Sequence, residues 1–388
     1  MKIILTVNAA WNALNFRRPV IEALLARGDD VVVLAPADDS VPMLEALGCE
    51  CVDLEMDVSG LSPLRDGALA LRMGRHFARL APDAILGYTI KNNLFGAVAA
   101  RRLGIPFLPN VSGLGTAFLS GGALQYIAET LYRHAFRNLP TVFFQNPEDS
   151  DLFISRNLTR PAQVTLLPGS GIDLQRFSPR PKSKDKTTRF LMVSRLLRDK
   201  GVLEYVDAAR LLKAEGARVE FQMIGATQAE NRSVISEDDL AAWQAEGAIS
   251  HLGETNDVRP FIAQADCVVL PSYREGAPRT LIEAAAMARP LIATDVPGCR
   301  QVVEHGTTGL LCAVRDGHAL ADACRQFLAM PEDARNTMGK AGRAKMVSEY
   351  DQRLVVQAYL TAIDAQTRPP QTAISDGFGA KNQRAKRA

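Results

Sequence analysis

Two glutamates separated by seven residues follow a short apolar run, and both could contact a charged ligand. Glu275 and Glu283 belong to the segment Pro271–Glu283, which comes directly after Cys267–Leu270. Pro278 suits the first turn of a helix, where a missing N–H costs little. We expect Glu275 in a loop and Glu283 in the following helix, whose free N–H groups suit an anion such as a diphosphate. Either could instead be an ordinary solvated glutamate, although an idle charge among the apolar neighbours of Glu283 would be costly to bury.

Basic residues follow a second apolar run. Arg195 and Lys200 come after Arg189–Val193, and Gly201 follows them directly. Guanidinium and ammonium groups at the end of a strand could neutralise a diphosphate, or they could be solvated surface. A third candidate is Pro168–Asp173, whose two glycines allow close backbone approach to a ligand or form a plain turn.

These segments need elements that position them, and the apolar pattern predicts α/β architecture. Short apolar runs without polar alternation, separated by helical stretches, are typical of parallel sheets covered on both faces. The Pro/Lys-rich run Ser178–Lys186 interrupts the pattern, which then restarts. We therefore predict two α/β domains over residues 1–170 and 171–350, a helix over 351–365 that packs back on the first domain, and a disordered tail over 366–388.

Composition excludes several classes of protein. With 388 residues, 47% hydrophobic content and a net charge of +2, the chain is a globular protein and not one that coats nucleic acid. No apolar run reaches the roughly 18 residues of a membrane span, and Ile3–Val7 is too short for a signal peptide. Six cysteines without a CxxC pair favour reduced thiols over zinc or disulfides. We expect a cytoplasmic protein.

Together, the motifs resemble those of retaining glycosyltransferase family 4, from the first residue to about Ala365. The Glu-x7-Glu spacing is the specific feature, and the other two motifs and Thr307–Leu311 support it. The resemblance implies the GT-B fold, in which two Rossmann-like domains face each other across a cleft. It also implies a UDP-sugar donor, which is a substrate and not a cofactor, held by the C-terminal domain.

The family pattern assigns roles to individual residues of the second domain. The resemblance implies diphosphate contacts from Arg195 and Lys200, ribose contacts from Glu283, sugar contacts from Glu275, amides of Gly276 and Ala277 near the sugar and phosphates, and a donor-side loop of Gly169, Ser170 and Gly171. Fixed cations and helix amides can stabilise a departing diphosphate without a metal. The sequence has no Asp-x-Asp motif at a strand end, so we predict no metal site and no cofactor.

The first domain departs from the common family pattern. The segment Asn8–Arg17 lacks a glycine pair, and Tyr88–Gly96 lacks the histidine found in many relatives. The pattern Thr-Ile-Lys-x-Asn-x-x-Gly at residues 89–96, followed by Asn110–Gly115, resembles that of a bacterial branch of the family. Members of this branch build glycans on polyprenyl diphosphate, and N-acetylgalactosaminyltransferases are among them. On the acceptor side we expect Asn8, Arg17, Lys91 and Asn92.

An acceptor carried by a lipid requires a surface that faces the membrane. The stretch Ser59–Val142 contains nine Lys or Arg and three acidic residues. Within it, an apolar helix over Ala123–Phe136 with flanking arginines suits an anionic bilayer, although it could be a core-facing helix with solvated arginines. We expect peripheral attachment to the cytosolic face of the inner membrane.

The resemblance therefore predicts a retaining, metal-independent enzyme. It would move a sugar, for which we expect an N-acetylhexosamine, from UDP to a saccharide linked to polyprenyl diphosphate. Two alternatives stay open: a nucleotide-sugar 2-epimerase of similar two-domain build, and a non-catalytic nucleotide-sugar-binding subunit, because the family histidine is absent.

Overall fold

A computed structural model describes residues 1–58, 62–114, 122–181, 187–227 and 233–367. Within these ranges the chain forms two parallel sheets with helices on both faces, one sheet of seven strands and one of six. The predicted α/β class with two Rossmann-like domains is therefore confirmed.

The first sheet is built from residues 2–166. Its strands are β1 (Lys2–Thr6), β2 (Asp30–Ala35), β3 (Glu50–Asp53), β4 (Ala84–Tyr88), β5 (Phe107–Val111), β6 (Val142–Phe144) and β7 (Val164–Leu166). The helices are α1 (Ala10–Phe16), α2 (Arg18–Ala26), α3 (Val41–Leu47), α4 (Pro63–Leu80), α5 (Ile90–Leu103), α6 (Gly122–Phe136) and α7 (Pro147–Ser155), with a 3-10 turn at Pro161–Gln163.

The second sheet is built from residues 188–312. Its strands are β8 (Thr188–Val193), β9 (Val219–Ile224), β10 (Ser250–His251), β11 (Cys267–Leu270), β12 (Leu291–Thr294) and β13 (Gly309–Cys312). A 3-10 turn at Arg198–Lys200 precedes α8 (Val202–Ala214), and the remaining helices are α9 (Glu237–Ala245), α10 (Arg259–Gln264), α11 (Arg279–Ala286), α12 (Cys299–Val302), α13 (Gly317–Ala329), α14 (Glu332–Glu349) and α15 (Gln352–Thr367).

Strand order determines where ligand-binding loops can meet. The orders are β3-β2-β1-β4-β5-β6-β7 and β10-β9-β8-β11-β12-β13. In each sheet the order reverses between the first strand and a central neighbour, β1 beside β4 and β8 beside β11. The loops after these strands diverge to opposite faces and leave a crevice at the carboxyl edge, where open parallel sheets bind ligands. The central strands β4 and β5 are buried throughout, as their apolar runs predict.

The last helix crosses back to the first domain. Val355, Tyr359 and Ile363 of α15, spaced four residues apart on one face, are buried in the same core as Leu5 and Tyr88. The helix extends through Thr367, two residues into the segment for which we expected disorder. The remainder of that tail, 368–388, lies outside the described residues, as do 182–186 of the Pro/Lys-rich run.

Two stretches that connect the domains run side by side. Ile172 pairs with Asp351, and the Ile172 amide donates to the Tyr350 carbonyl at 2.8 Å. Gly171 has a φ of +71°, and a Cβ there would lie 2.5 Å from Gln352 Cα. Only glycine combines that backbone conformation with so close an approach. The packing of the two connecting stretches therefore requires Gly171 of the predicted loop.

Candidate active site

The loop after β11 and the start of α11 carry both predicted glutamates. The helix begins at Arg279 with Pro278 as its N-cap, so that Glu275 lies in the loop and Glu283 in the helix. Glu283 is 8% exposed because the surrounding helix residues are buried in the second core. The structure therefore gives the two glutamates different environments.

Lys200 and Glu275 are brought together into an ion pair. The Lys200 Nζ lies 2.5 Å from Glu275 Oε1, and the two side chains are 23% and 13% exposed. Gly201 makes this possible: its φ is +77°, and a Cβ there would lie 2.0 Å from the Pro271 carbonyl oxygen. The turn before α8 therefore packs directly on the end of β11, which unites two motifs that are distant in sequence.

Glu283 has a partner that the sequence analysis missed. Arg279 donates from Nε to Glu283 Oε1 at 2.7 Å, and its Nη1 donates to the Asn15 carbonyl in the first domain, also at 2.7 Å. Burial raises the pKa of Glu283, and the Arg279 guanidinium opposes that rise. The signal for this pair was its i,i+4 spacing on a helix, the usual distance for such contacts.

Arg195 lies at the same edge of the sheet but stays apart from the Lys200–Glu275 pair. Its side chain is exposed, and among the described residues it forms no ion pair. Thr280 donates to the Val193 carbonyl at 2.8 Å, which fixes the start of α11 beside the end of β8. Arg195 is therefore available for an anion near the helix N-terminus.

The loop of Gly169, Ser170 and Gly171 contacts both domains. A Cβ on Gly169 would lie 2.8 Å from the Ala277 Cβ, so the close approach that it permits is to the α11 loop. Ser170 Oγ is 3.3 Å from Arg17 Nη1. The predicted donor-side residues thus converge, although the contacts that the two glycines allow are with protein groups.

Contacts across the cleft hold the Glu275 loop against the first domain. A Cβ on Gly276 would lie 2.3 Å from the Ser112 carbonyl oxygen, and Asn146 donates to the Gly276 carbonyl at 3.0 Å. Arg274 forms an ion pair with the buried Asp149, whose pKa is raised by burial and lowered by that arginine. The sequence analysis missed Asn146, Asp149 and Arg274. The one local signal was an Asn-Pro helix start, which Asn146 caps.

The predicted acceptor-side residues face a different environment. Asn92 is fully buried, donates to Thr6 at 2.8 Å and accepts from Thr89 at 2.8 Å, so it holds the ends of β1 and β4 together. Lys91 contacts Asp66 at 2.8 Å and the Asp57 carbonyl at 2.7 Å. Its charge is therefore balanced within the first domain.

Asn8 and Arg17 complete the predicted acceptor set. Asn8 Oδ1 accepts from Asn12 at 3.1 Å. Arg17 is 4% exposed, and its guanidinium stacks on the Tyr88 ring at 4.2 Å from the centroid. These two and Asn92 lie near the carboxyl edge of the first sheet, whereas the ion pair of Lys91 directs it toward α4.

The described ranges contain neither a cluster of metal ligands nor a helix that could span a membrane. No three His, Cys, Asp or Glu side chains converge there, and no described helix is both long and apolar enough to cross a bilayer. The six cysteines are free, and burial raises the pKa of the Cys49 thiol to about 11.

Two family models match the chain, one for each domain. The model described as glycosyl transferase 4-like domain matches residues 16–169, and the one described as glycosyl transferases group 1 matches residues 187–330. The chain belongs to this family of glycosyltransferases. The resemblance in the sequence analysis is thereby confirmed, and so is transferase activity as its class of function.

Several known proteins resemble the chain over most of its length. The N,N'-diacetylbacillosaminyl-diphospho-undecaprenol alpha-1,3-N-acetylgalactosaminyltransferase of Campylobacter jejuni is 27% identical over 94% of this glycosyltransferase and 98% of its own length. Sucrose-phosphate synthase of Thermosynechococcus elongatus superposes with a TM-score of 0.78 at 20% identity, over 94% of this chain and all of its own. Anabaena HepE, solved with UDP and glucose, gives 0.77 at 18% identity with the same coverage. The structural likenesses show the GT-B fold.

Proposed function

We propose that this glycosyltransferase moves an N-acetylhexosamine from UDP to a saccharide linked to polyprenyl diphosphate, with retention of configuration and without a metal. The observation that carries the proposal is the convergence of Lys200 and Glu275 beside the N-terminus of α11, with Glu283 in the same helix. A cation, helix amides and two carboxylates are the groups that a nucleotide-sugar donor needs.

Donor binding exchanges partners at Lys200. When a diphosphate reaches the N-terminus of α11, the Lys200 ammonium group leaves Glu275 and contacts the diphosphate. The exposed Arg195 contacts the same diphosphate. Glu275 then accepts hydrogen bonds from sugar hydroxyls, while Glu283, oriented by Arg279 at 2.7 Å, accepts from the ribose. Fixed positive groups stabilise charge that develops on the leaving diphosphate without reorganisation during the reaction.

Retention requires the new bond on the face from which the leaving group departs. The bond between the anomeric carbon and the diphosphate oxygen breaks, and the acceptor hydroxyl oxygen bonds to that carbon on the same side. The hydroxyl proton passes to the departing diphosphate oxygen, which balances the charge of the step. The cations at Lys200 and Arg195 therefore act on the leaving group, and Glu275 acts on the sugar.

The acceptor assignment is supported by the relative and by α6. The C. jejuni relative is named for an undecaprenol-diphosphate acceptor and for N-acetylgalactosamine. In α6, Tyr132, Ala135 and Phe136 are buried, whereas Tyr126 and Ile127 are 71% and 54% exposed. The helix therefore has an apolar face directed outward as well as a face in the core.

Basic residues continue that outward face. Leu131 is 40% exposed, and Arg133 and Arg137 are exposed in the last turns of α6 and just beyond it. An apolar helix face followed by arginines suits the surface of an anionic bilayer. Residues 115–121, which precede the helix and belong to the same predicted patch, lie outside the described residues.

Transfer assays with purified protein test the proposed reaction. The protein is incubated with a panel of UDP-sugars, with and without a polyprenyl-diphosphate saccharide, and the product anomer is determined by NMR. We expect transfer only with the lipid-linked acceptor, an unchanged anomeric configuration, and full activity in EDTA. Conversion of donor alone would favour the epimerase, and donor binding without turnover would favour the non-catalytic subunit.

Co-sedimentation with anionic liposomes tests the membrane surface. Each basic residue near such a surface contributes about 1 kcal/mol, and salt screens the attraction. We expect binding at low salt that weakens at high salt and in the Arg133→Glu and Arg137→Glu variants. An absence of binding at low salt, or equal use of a water-soluble acceptor, would contradict this part of the proposal and leave the donor site intact.

A further inference from the structure

A pocket between the domains contains an arginine whose charge the protein does not balance. The pocket has a volume of about 180 Å³, and Arg17, Gln145 and Ser112 line it from the first domain. From the other side it is lined by Ser170 and Gly171 of the connecting loop and by Ala277 and Arg279 near α11. Among the described residues that line it, two are arginines and none is acidic.

The two arginines differ in their ion-pair and hydrogen-bond partners. Arg279 is paired with Glu283. Arg17 is 4% exposed, forms no ion pair with any described carboxylate, and its Nε has no hydrogen-bond partner there. The one hydrogen bond of its guanidinium in the described part of the chain is with the Ser170 hydroxyl, at 3.3 Å.

Another partly buried arginine has a fuller set of partners. Arg343, without a carboxylate partner in the described chain, donates to three backbone carbonyls, those of Leu174, Phe177 and Ala286. Arg17 has instead the face of Tyr88, which stabilises a cation only partly. A buried charge with so few partners is costly unless a ligand supplies the missing ones.

The local fold holds the guanidinium in this position. Arg17 is the residue between α1 and α2, and Pro19 lies in the first turn of α2. The bend between the helices turns the Arg17 side chain inward, while the next residue, Arg18, is 50% exposed and pairs with Glu22. The position of Arg17 is therefore set before any ligand arrives.

We infer that Arg17 binds a phosphate group of a phosphate ester in this interdomain pocket. A guanidinium presents paired N–H donors that match phosphate oxygens, and the pocket is large enough for such a group. The inference rests on the proposed function for the source of the ester. That source is either the diphosphate of the donor or the diphosphate of the lipid-linked acceptor, which share this chemistry.

Binding measurements on the full chain test the site with three probes: inorganic pyrophosphate, UDP and a short-chain polyprenyl diphosphate. The variants are Arg17→Gln and Arg17→Lys, with Arg18→Gln as the matched control. We expect Arg17→Gln to weaken pyrophosphate binding at least tenfold, Arg17→Lys to restore part of it, and Arg18→Gln to leave it unchanged. Should Arg17→Gln fail to fold, Arg17→Lys carries the comparison, with weaker binding expected because lysine lacks the paired donors.

The other probes identify the source. If Arg17→Gln weakens the binding of UDP, Arg17 contacts the diphosphate of the donor. If it weakens the binding of polyprenyl diphosphate but not of UDP, Arg17 contacts the diphosphate of the acceptor. Equal affinity of the Arg17 variants and wild type for all three probes, or no binding of any probe by wild type, would overturn the inference. Arg17-dependent binding in a protein that transfers no sugar would instead refute the proposed function and keep the site.

Discussion

The two sides of the cleft are built differently. On the second domain, ionised side chains meet in pairs, Lys200 with Glu275 at 2.5 Å and Arg279 with Glu283 at 2.7 Å. On the first domain, a network of neutral groups is prominent: Asn93 donates to the Asn110 carbonyl, and both residues are buried.

This first-domain network extends to the far end of the chain. The Asn110 amide donates to the Tyr359 hydroxyl at 2.7 Å, which ties β5 to α15. The difference teaches that charge is concentrated where a diphosphate must be stabilised, while the facing surface is a fixed framework with one unbalanced cation. Four substitutions test that division, in order of decreasing expected effect.

The charged side should be the most sensitive. Lys200→Ala removes a cation from the proposed diphosphate site and leaves Glu275 to repel the donor. We expect kcat/KM to fall by about 10²–10³-fold, the usual loss when a fixed electrostatic contact in the transition state is removed. Lys213→Ala, in the last turn of α8, is the control and should retain activity. Wild-type kinetics in Lys200→Ala would remove the basis of the donor site.

The contact between the two sides can be broken at Gly276. In Gly276→Ala the new Cβ would lie 2.3 Å from the Ser112 carbonyl oxygen, so the Glu275 loop and the backbone at Ser112 must shift relative to each other. Misplacement by about 1 Å can cost about 100-fold in rate, and we expect a loss of up to that size with an unchanged melting temperature. Gly67→Ala, in α4 with open space around it, is the control. Unaltered transfer would show that this closed arrangement is not required.

The ionisation of Glu283 should make donor binding by the second domain depend on pH. Because burial raises its pKa, the carboxylate is protonated at a higher pH than an exposed glutamate. We expect KM for the donor to rise as pH falls through that pKa, since the protonated acid accepts the ribose hydrogen bonds poorly. Glu283→Gln should raise KM about tenfold at neutral pH and abolish this acid limb.

The control for this measurement is Glu332→Gln, at an exposed position in the first turn of α14. It should keep the wild-type pH profile of the donor KM. A Glu283→Gln enzyme with the same acid limb as wild type would assign that limb to another group.

The smallest effect is expected in the neutral framework. Tyr359→Phe removes the acceptor for the Asn110 amide and leaves a buried donor unpaired, which costs about 1–3 kcal/mol of folding free energy. For a domain of this size that corresponds to a fall of about 2–4 °C in melting temperature per kcal/mol. Tyr126→Phe, at a residue 71% exposed, should change nothing. UDP affinity should stay close to wild type in both variants.

Local sequence was sufficient for the elements and the family. Buried runs such as Cys267–Leu270 predict parallel strands because both faces of such a strand are covered. Pro278 and the seven-residue spacing place one glutamate in a loop and one in a helix, as observed. The helix α4 and the edge strand β3 were not predicted. A half-exposed edge strand carries few apolar residues, and an arginine-rich amphipathic helix resembles a solvated segment.

What only the tertiary structure decided is which residues become partners. Lys200 and Glu275 are 75 residues apart, Arg274 and Asp149 are 125 apart, and Asn110 and Tyr359 are 249 apart. Strand order and the return of α15 bring these pairs together. Apolar periodicity reports only the neighbours within one element, so it contains no information about such distant contacts.

Arg17 illustrates the same limit. Its type and position made it a candidate in the sequence, but its burial and its missing partner depend on Tyr88, Ser170 and the second domain. The amino-acid sequence by itself determined the two sheets, the family and most of the charged groups. The packing of distant segments decided which of those charges are balanced, because balance depends on distance in space and not along the chain.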